Sequence, residues 1–344
     1  MLFRSLTLED KEQYNRIIDH PLQSWEWGEF QKKIGAVVER AGFFEDGKLK
    51  QAFQVTFNKI PLLPNNTAGY FPKGTMPDVQ TIDGLKKLAK KHNAIFIKLE
   101  PEALKTADIK NAYKKHHEFL SKNDCVPGRH IFYKHTYILD LTKPEDTLFK
   151  NLESKTRYNV RLAFKKGVRV IEDSTKQGLA EYNQILNETK KRQNFELHNP
   201  AYFEKMWKTF QDTGIMKIFK AVYNNQTLVS WIVFAFKDTI YYPYGASRSI
   251  HKEVMASNLM LWRMVQFGQE QKLKKFDLWG CLGPNAKKTN KWYGFHRFKR
   301  GYNGQLMQNI GSYDLITNHS LYSIYRKAEI WKWKLIKLKD TLGF

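Results

Sequence analysis

The chain has 344 residues, enough for two domains of ordinary size, and its 42% hydrophobic and 14% aromatic content excludes global disorder. Its formal net charge of +23 favours an anionic partner, whether nucleic acid, a phosphorylated metabolite or an acidic membrane surface. The two distant cysteines, Cys125 and Cys281, argue against a disulfide framework and against structural zinc. Because the N-terminus lacks a secretory apolar core and no run of about 18 apolar residues occurs, we expect a cytoplasmic protein.

The first half of the sequence predicts helices followed by strands. A hairpin signal, Glu45-Asp46-Gly47, separates two segments that alternate apolar and polar residues. In chain order we expect two helices, the two hairpin strands, a third strand, a helix and a buried strand at 10–20, 28–34, 36–44, 49–59, 67–71, 82–92 and 94–99.

The second half repeats this order after residues 137–141. We expect three helices, a hairpin around Asn224-Asn225, a third strand, a helix and a final strand at 145–166, 176–192, 200–212, 216–223, 228–236, 239–244, 257–271 and 275–279. The repeated order predicts an α/β fold of the α+β type, with two related units built on mixed sheets.

Two long segments contain basic residues but no Asp or Glu. The first is Leu278–Tyr313, and its last basic residues lie in the aromatic and basic stretch 295–304. We expect this stretch to be a loop that binds a polyanion and takes part in catalysis. The second, Ser154–Ile171, would place Arg157, Arg161 and Lys165 on one helical face. A solvated surface is the ordinary explanation of such a run, but unbalanced like charges favour a neutralising partner, and RNA fits.

Five short segments occur in the order seen in the Fem aminoacyltransferases, a family that builds peptidoglycan interpeptide bridges from aminoacyl-tRNA: Gln23–Gly28, Lys155–Arg161, Tyr242–Ser247, Asp277–Gly280 and Phe298–Asn303. The sequence resembles this family over nearly its whole length, in the short form without a coiled-coil arm. The resemblance implies two acetyltransferase-like (GNAT) domains in tandem, 1–142 and 143–317, with a tail, 318–344, that packs back on the first domain.

The same resemblance implies an aminoacyltransferase that moves an amino acid from tRNA to the stem-peptide amine of UDP-MurNAc-pentapeptide or lipid II. It implies a monomer that uses neither coenzyme A nor a metal. The sequence itself also argues against a coenzyme A site, because Gly245–Glu253 contains one glycine and offers no glycine-rich loop to hold a pyrophosphate.

Matching positions imply roles for individual residues. The catalytic set is Lys299, Tyr244 and Glu100, the substrate-binding set is Lys32, Lys33, His198, Tyr202 and Arg248, and the tRNA-binding set is Lys155, Arg157, Arg161, Lys165, Arg297 and Arg300. Lys299, with an unperturbed pKa of about 10.4, would be charged and would stabilise the oxyanion of the attacked ester. Two positions depart from relatives, since Glu100 aligns with an Asp and His198 with a phosphate-binding Arg.

Each assignment has a simpler alternative. Lys299 would otherwise only bind tRNA phosphate, Tyr202 and Tyr244 would be core residues, and Glu100 would be a solvated carboxylate at a strand end. The amphipathic tail, 321–338, would either pack on the first domain, which we favour, or lie on an anionic membrane. The rival functions are a non-catalytic RNA-binding module and an acyltransferase of the same fold that acts on another amine.

Overall fold

The computed structural model describes residues 1–61, 63–105, 110–193 and 198–342. The last two residues of the predicted tail lie outside this range. The strands are β1 Leu2–Ser5, β2 Val37–Glu45, β3 Lys48–Ile60, β4 Leu63–Pro72, β5 Ala94–Glu100, β6 Leu104–Lys105, β7 Cys125–Pro127, β8 His135–Asp140, β9 Arg169–Glu172, β10 Met216–Tyr223, β11 Gln226–Phe236, β12 Thr239–Ser247, β13 Lys275–Cys281, β14 Gln305–Asn309 and β15 Tyr313–Ile316. The α-helices are α1 Lys11–Ile17, α2 Trp25–Lys33, α3 Val79–Lys91, α4 Lys110–Lys122, α5 Glu145–Asn151, α6 Ser154–Lys165, α7 Lys176–Gln193, α8 Pro200–Phe210, α9 Ala256–Glu270, α10 Tyr293–Arg300 and α11 His319–Leu342.

The first sheet has the strand order β1-β2-β3-β4-β5-β15-β7 and is antiparallel except between β4 and β5. Successive side chains of β5 point to opposite faces, as in any strand. Ile97 and Leu99 pack with Leu85 of α3 in one core, and Phe96 packs with Tyr322 of the tail helix α11 in another. The tail therefore lies on the first sheet, on the face opposite α3.

The second sheet has the order β6-β14-β8-β13-β12-β11-β10-β9, with β12 and β13 as its parallel pair. One face packs against α6, α9 and part of α10. The other face packs against α7 and α8 and also against α1 and α2 from the first half of the chain. The two halves thus share a core on this second face.

Sheet membership crosses the predicted domain boundaries at 142 and 317. Strand β8 precedes residue 142 yet pairs with β13 and β14 of the second sheet. Strand β15 precedes residue 318 yet pairs between β5 and β7 of the first sheet. Main-chain hydrogen bonds therefore tie each half to the other, and the boundaries themselves stay a prediction.

Aromatic rings fill the core between the halves. Ser24 caps α2 by accepting a hydrogen bond from the Trp27 main-chain N–H at 3.0 Å, which starts the helix that carries these rings. The Trp27 ring lies perpendicular to Phe234 of β11, with 6.2 Å between centroids, and Phe30 meets Tyr202 of α8 edge-on at 4.9 Å. Edge-to-face pairs of this kind add to the burial of their large apolar surfaces.

The fold corrects two predictions about the basic segments. The helix expected at 145–166 is two helices, because Leu152 and Glu153 have extended backbone between α5 and α6. The expected basic loop at 295–304 is mostly the helix α10, which buries His296 and Lys299 and exposes Arg297 and Arg300. His296 and Lys299 lie three residues apart and so share the buried face of α10. Because both side chains are polar, the sequence shows no apolar stripe that would predict this helix.

The sequence did not predict several short elements, namely β1, β6, β7, β9, β14, β15 and the helix α4. Most are strands of two to five residues, too short to show an alternation.

A buried ion pair links the first sheet to the tail helix. The Lys98 ammonium donates to the Asp314 carboxylate at 2.6 Å, and the Tyr322 hydroxyl donates to the other carboxylate oxygen at 2.9 Å. Replacing Asp314 by Ala would leave a buried ammonium without its partner, so we expect a loss of about 3–5 kcal/mol in the free energy of unfolding by urea. The double variant Lys98→Met, Asp314→Asn removes the charge and keeps an acceptor for Tyr322. It should recover most of the loss; equal losses in both variants would contradict this account.

Candidate active site at the divergence of two strands

A wedge opens in the second sheet where β12 and β13 separate. The parallel register runs from Thr239 beside Lys275 to Tyr241 beside Asp277 and ends there, although both strands continue. Irregular pairing on either side, between Ile232 and Phe234 of β11 and between Asp277 and Gly280 of β13, bends the strands apart. Main-chain groups of β13 beyond Asp277 therefore need other partners.

Lys299 of α10 supplies those partners. Its side-chain ammonium donates to the Leu278 carbonyl oxygen and, at 2.8 Å, to the Gly280 carbonyl oxygen. The Nζ atom also lies 3.8 Å from the centre of the Phe295 ring and 5.3 Å from that of Tyr242. The residue is 0% exposed, so it closes the wedge from the side of α10.

Burial sets the protonation of Lys299. Desolvation lowers its pKa to about 7, against the opposing effects of Cys281 and Asp277. The expectation of an unperturbed pKa was therefore wrong, because the sequence does not reveal that this lysine faces inward. An amine with a pKa near neutrality can both hold and release a proton at physiological pH.

A polar network fixes the far side of the wedge. Trp279 has the left-handed conformation, with φ of +62°, which is strained for a bulky residue. Its main-chain N–H donates to the buried Asp277 carboxylate at 2.7 Å. The Thr136 hydroxyl lies within hydrogen-bond distance of the same carboxylate and 2.6 Å from the Trp279 carbonyl oxygen. These contacts orient the neighbouring carbonyl groups that Lys299 binds.

The structure brings the two basic segments together beside Lys299. The Glu153 main-chain N–H donates to the Gly301 carbonyl at 2.9 Å, and Arg300 pairs with the Glu153 carboxylate at 3.1 Å. The start of α6 therefore touches the end of α10. The exposed cations of this surface, called the α6–α10 face below, are Lys155, Arg161, Lys165, Arg297 and Arg300.

Arg157 has a structural task on the α6–α10 face. Its guanidinium donates to the carbonyl groups of Lys150 and Leu152 at 2.7 and 2.9 Å, at the end of α5. Arg161 lies 5.3 Å from the centre of the Phe149 ring. Protein partners thus account for part of the positive charge that the sequence assigned to RNA, and tRNA binding by these residues stays a prediction.

Tyr244 of β12, predicted to be catalytic, forms an aromatic cluster on the opposite face of the sheet with two predicted substrate-binding residues, Tyr202 of α8 and His198 just before that helix. His198 stacks on Tyr202 with ring centroids 3.6 Å apart, and the Tyr202 hydroxyl lies 3.4 Å from that of Tyr244. Burial lowers the pKa of His198 and raises that of Tyr244 to about 12. All three are neutral near pH 7 and offer polar atoms without charge.

The predicted cations around this cluster are partly paired. Lys32 donates to Glu29 at 3.0 Å, and Lys33 is exposed at the end of α2. Arg248 lies 3.4 Å from the Glu188 carboxylate. Because Phe30 of α2 packs on Tyr202, the end of α2 lies in the same region of the molecule as the aromatic cluster.

Glu100 is a buried structural carboxylate, so the expectation of a solvated strand end was wrong. One oxygen accepts from the Ile131 main-chain N–H at 2.8 Å and from the Ser312 hydroxyl, and the other accepts from the Tyr70 hydroxyl at 2.7 Å. Both oxygens are occupied by the protein, which leaves poor access for a substrate amine. The carboxylate instead ties β5 to the segments that begin β8 and β15.

Sequence reasoning missed Glu102, two residues further on. It lines a cavity of about 1020 Å³ between the two halves, together with Asp19, Tyr241, Lys275 and Asp277. Burial raises the pKa of its carboxyl group to about 7. The only available signal was the repeated acid in Glu100-Pro101-Glu102, which does not tell which of the two faces a cavity.

Among the described residues, no group of His, Cys, Asp and Glu is arranged to hold a metal ion, and no helix is long and apolar enough to span a bilayer. The helix α11 turns Tyr322 and Tyr325 onto Phe96. Its outward face carries Ile324 and Trp331, which are 59% and 66% exposed.

The chain is similar to known proteins over most of its length. The model of the FemAB family matches residues 12–223 and 215–329. The chain is similar to the lipid II:glycine glycyltransferase of Staphylococcus haemolyticus, with 24% identity over 388 aligned positions that cover 90% of each chain. It superposes on the crystal structure of FemX with a TM-score of 0.82 at 20% identity, over 94% of this chain and 99% of that one.

A tandem GNAT protein from the clavulanic acid biosynthesis pathway matches with a TM-score of 0.53 at 8% identity, over 92% of this chain and 98% of that one. The predicted fold class, mixed sheets in two tandem GNAT-like domains, is confirmed.

The lowered pKa of Lys299 makes a prediction about stability. Below pH 7 both folded and unfolded chains hold the proton, so the cost of burying the charge is fully present. Above that pH only the unfolded chain holds it, up to its own pKa of about 10.4, so stability rises with pH. The free energy of unfolding of the wild type, minus that of Lys299→Met, should therefore increase by about 1.4 kcal/mol per pH unit. Urea titrations on the alkaline side of neutrality measure this difference. The exposed control Lys288→Met should give a flat difference, and a flat line for Lys299→Met would refute the shift.

Proposed function

Because this chain belongs to the FemAB family and is an aminoacyltransferase, we propose that it transfers an amino acid from aminoacyl-tRNA to the stem-peptide amine of a peptidoglycan precursor. The acceptor is UDP-MurNAc-pentapeptide or lipid II. The observation that carries the proposal is the buried Lys299 in the wedge between β12 and β13, with the cationic α6–α10 face beside it.

The α6–α10 face suits the donor. Exposed lysines and arginines on adjoining helices attract phosphates without reading bases, and each phosphate contact adds to the salt dependence of binding. The acceptor end of a tRNA held there would lie next to α10 and so next to Lys299. Tyr158 and Phe295, which are 62% and 40% exposed, offer rings on which unpaired bases can stack.

Lys299 acts on the ester. The acceptor amine attacks the ester carbonyl carbon, a carbon–nitrogen bond forms, and the bond to the ribose oxygen breaks. An ammonium has three N–H donors. Two of them bond the carbonyl oxygens of Leu278 and Gly280, and the third is free to stabilise the oxyanion once the Phe295 ring moves aside.

The acceptor approaches from the other face of the sheet. There the neutral hydroxyl groups of Tyr202 and Tyr244 hold its sugar or peptide, and Lys32 and Lys33 at the end of α2, with Arg248 after β12, supply positive charge for a diphosphate. If the acceptor is lipid-linked, the exposed Ile324 and Trp331, among the lysines of α11, contact the anionic membrane surface.

Mass spectrometry tests the transfer. The protein is incubated with aminoacyl-tRNA and either UDP-MurNAc-pentapeptide in solution or lipid II in anionic vesicles, and a product heavier by one amino-acid residue is expected. The arm that gives product identifies the acceptor. Trp331→Ala should slow only the vesicle arm if the tail contacts the membrane. No heavier product in either arm, with several aminoacyl-tRNAs supplied, would refute the proposed function.

The role of Lys299 is tested by single-turnover kinetics. We expect Lys299→Met to lower the rate constant of transfer by about 10²–10³-fold at saturating tRNA, because one oxyanion donor is lost. Lys288→Met, at an exposed position before α10, is the matched control and should keep the wild-type rate constant. Near-normal transfer by Lys299→Met with weakened tRNA binding would instead assign this lysine to phosphate binding.

A further inference from the structure

The helix α11 carries apolar side chains on two sides. Tyr322 faces inward and packs on Phe96 of the first sheet. Ile324 and Trp331 are both exposed, and because seven residues make about two helical turns they lie on one face. Ile330, next to Trp331 in the chain, is 45% exposed. Packing on the first sheet explains the inward side chains of this helix but not the outward ones.

The outward apolar side chains of α11 lie among cations. The Nζ atom of Lys334 is 5.3 Å from the centre of the Trp331 ring. The acid of residues 319–334, Glu329, is paired with Arg326 at 2.6 Å. The exposed cations of the same residues are Lys327, Lys332 and Lys334. This surface, called the outer face of α11 below, is therefore both apolar and positively charged.

A groove of about 470 Å³ lies beside the outer face, between α11 and the segment that follows β7. Its lining residues are Arg129, Arg326, Glu329, Ile330, Trp333 and Lys334. Ile330 and Lys334 line the groove and are also exposed on the outer face. The groove and the outer face therefore form one continuous surface.

Arg129 is the cation of this groove that is placed to bind an anion. Its guanidinium carbon lies 3.6 Å from the centre of the Trp333 ring. A guanidinium stacked on an aromatic ring keeps N–H donors at the edge of the stack, in the fork that matches two oxygens of a phosphate. Among the described residues, no carboxylate lies within ion-pair distance of Arg129, whereas Arg326 is held by Glu329.

We propose that the outer face of α11 docks the protein on an anionic phospholipid bilayer and that the groove at Arg129 binds the phosphate of one lipid. Ile324 and Trp331 then enter the boundary between headgroups and acyl chains, while the lysines stay among the headgroups. Arg129 and Lys334 hold the lipid phosphate from two sides. The proposed function needs a membrane contact only for a lipid-linked acceptor, whereas this docking occurs whichever acceptor is used.

The mixture of groups on this surface favours a bilayer over other partners. An RNA backbone offers phosphates but no apolar phase that would bury an isoleucine such as Ile324. An apolar protein surface would bury Trp331 but would leave the lysines around it without counter-charges. A bilayer supplies phosphates and acyl chains at adjoining depths, and tryptophan favours that boundary. The charges and the apolar side chains are therefore satisfied together.

Flotation with lipid vesicles tests the docking, with the full chain as the only protein. We expect it to float with vesicles of phosphatidylcholine and phosphatidylglycerol and not with vesicles of phosphatidylcholine alone. Trp331→Ala should weaken binding by about tenfold through lost apolar burial, and Arg129→Gln by about fivefold through one lost basic contact. Lys87→Gln removes an exposed charge from α3, on the opposite face of the first sheet, and should bind as the wild type does.

Fluorescence gives a second readout that depends on contact with the acyl chains. Bromine atoms attached to the acyl chains of the same anionic vesicles quench tryptophans that enter the bilayer. We expect quenching of the wild type and much less quenching of Trp331→Phe, although this variant keeps a ring at that position and should still float. Equal quenching of both proteins would contradict insertion of Trp331.

Three outcomes would overturn the docking surface. The first is no flotation with either kind of vesicle. The second is flotation that survives both Trp331→Ala and Arg129→Gln and is lost in Lys165→Gln, because the α6–α10 face would then be the part that contacts lipid. The third is a wild-type dimer, measured by sedimentation equilibrium, that dissociates in Trp331→Ala, because a second copy of the chain would then cover this face.

The docking and the proposed function are tested separately. The vesicle assays contain neither tRNA nor a peptidoglycan precursor, so a failure of docking does not bear on transfer. Absence of a heavier product in the mass-spectrometric assay would overturn the proposed function and leave the vesicle result as it is.

Discussion

The hydrogen bonds from the Lys299 ammonium to two carbonyl groups of β13 are the contact on which the rest of the site depends. Without a donor there, the carbonyl oxygens exposed by the divergence of β12 and β13 would be buried and unpaired, at a cost comparable to a lost hydrogen bond each. The same burial that makes the lysine a structural plug lowers its pKa to about 7. The buried position of the Lys299 side chain therefore both pairs the carbonyl groups of β13 and lowers the pKa of the amine.

The core shared by the two halves determines which surfaces lie beside Lys299. Rings of α2, chiefly Trp27 and Phe30, pack against α8 and β11. Strand β8, from the first half of the chain, joins the second sheet, and β15, from the second half, joins the first sheet. The two halves consequently meet on one face of the second sheet and leave the α6–α10 face free. Under the proposed function, a large anionic donor and a smaller acceptor approach the wedge from opposite sides of the sheet.

Charge is distributed accordingly. The α6–α10 face exposes cations, the cluster around Tyr202 and Tyr244 is neutral, and the cavity at Glu102 mixes acids with lysines. A long-range positive field attracts a polyanion and raises its rate of association.

Local pattern determined much of this protein. The hairpin of β2 and β3, the helix α9 and the order of the elements follow from hydrophobic periodicity and turn residues, and the segments around Trp25 and Lys299 resemble a family strongly enough to imply fold and chemistry. Only the tertiary structure decided that Lys299 is buried, that Glu100 is saturated by hydrogen bonds while Glu102 lines a cavity, and that β15 belongs to the first sheet. Periodicity reports which face of an element is apolar. The burial of Lys299 depends on contacts with other elements, such as Leu278 of β13 and Tyr242 of β12, and the pairing of β15 with β5 joins residues as far apart as Tyr313 and Leu99. No local pattern contains either.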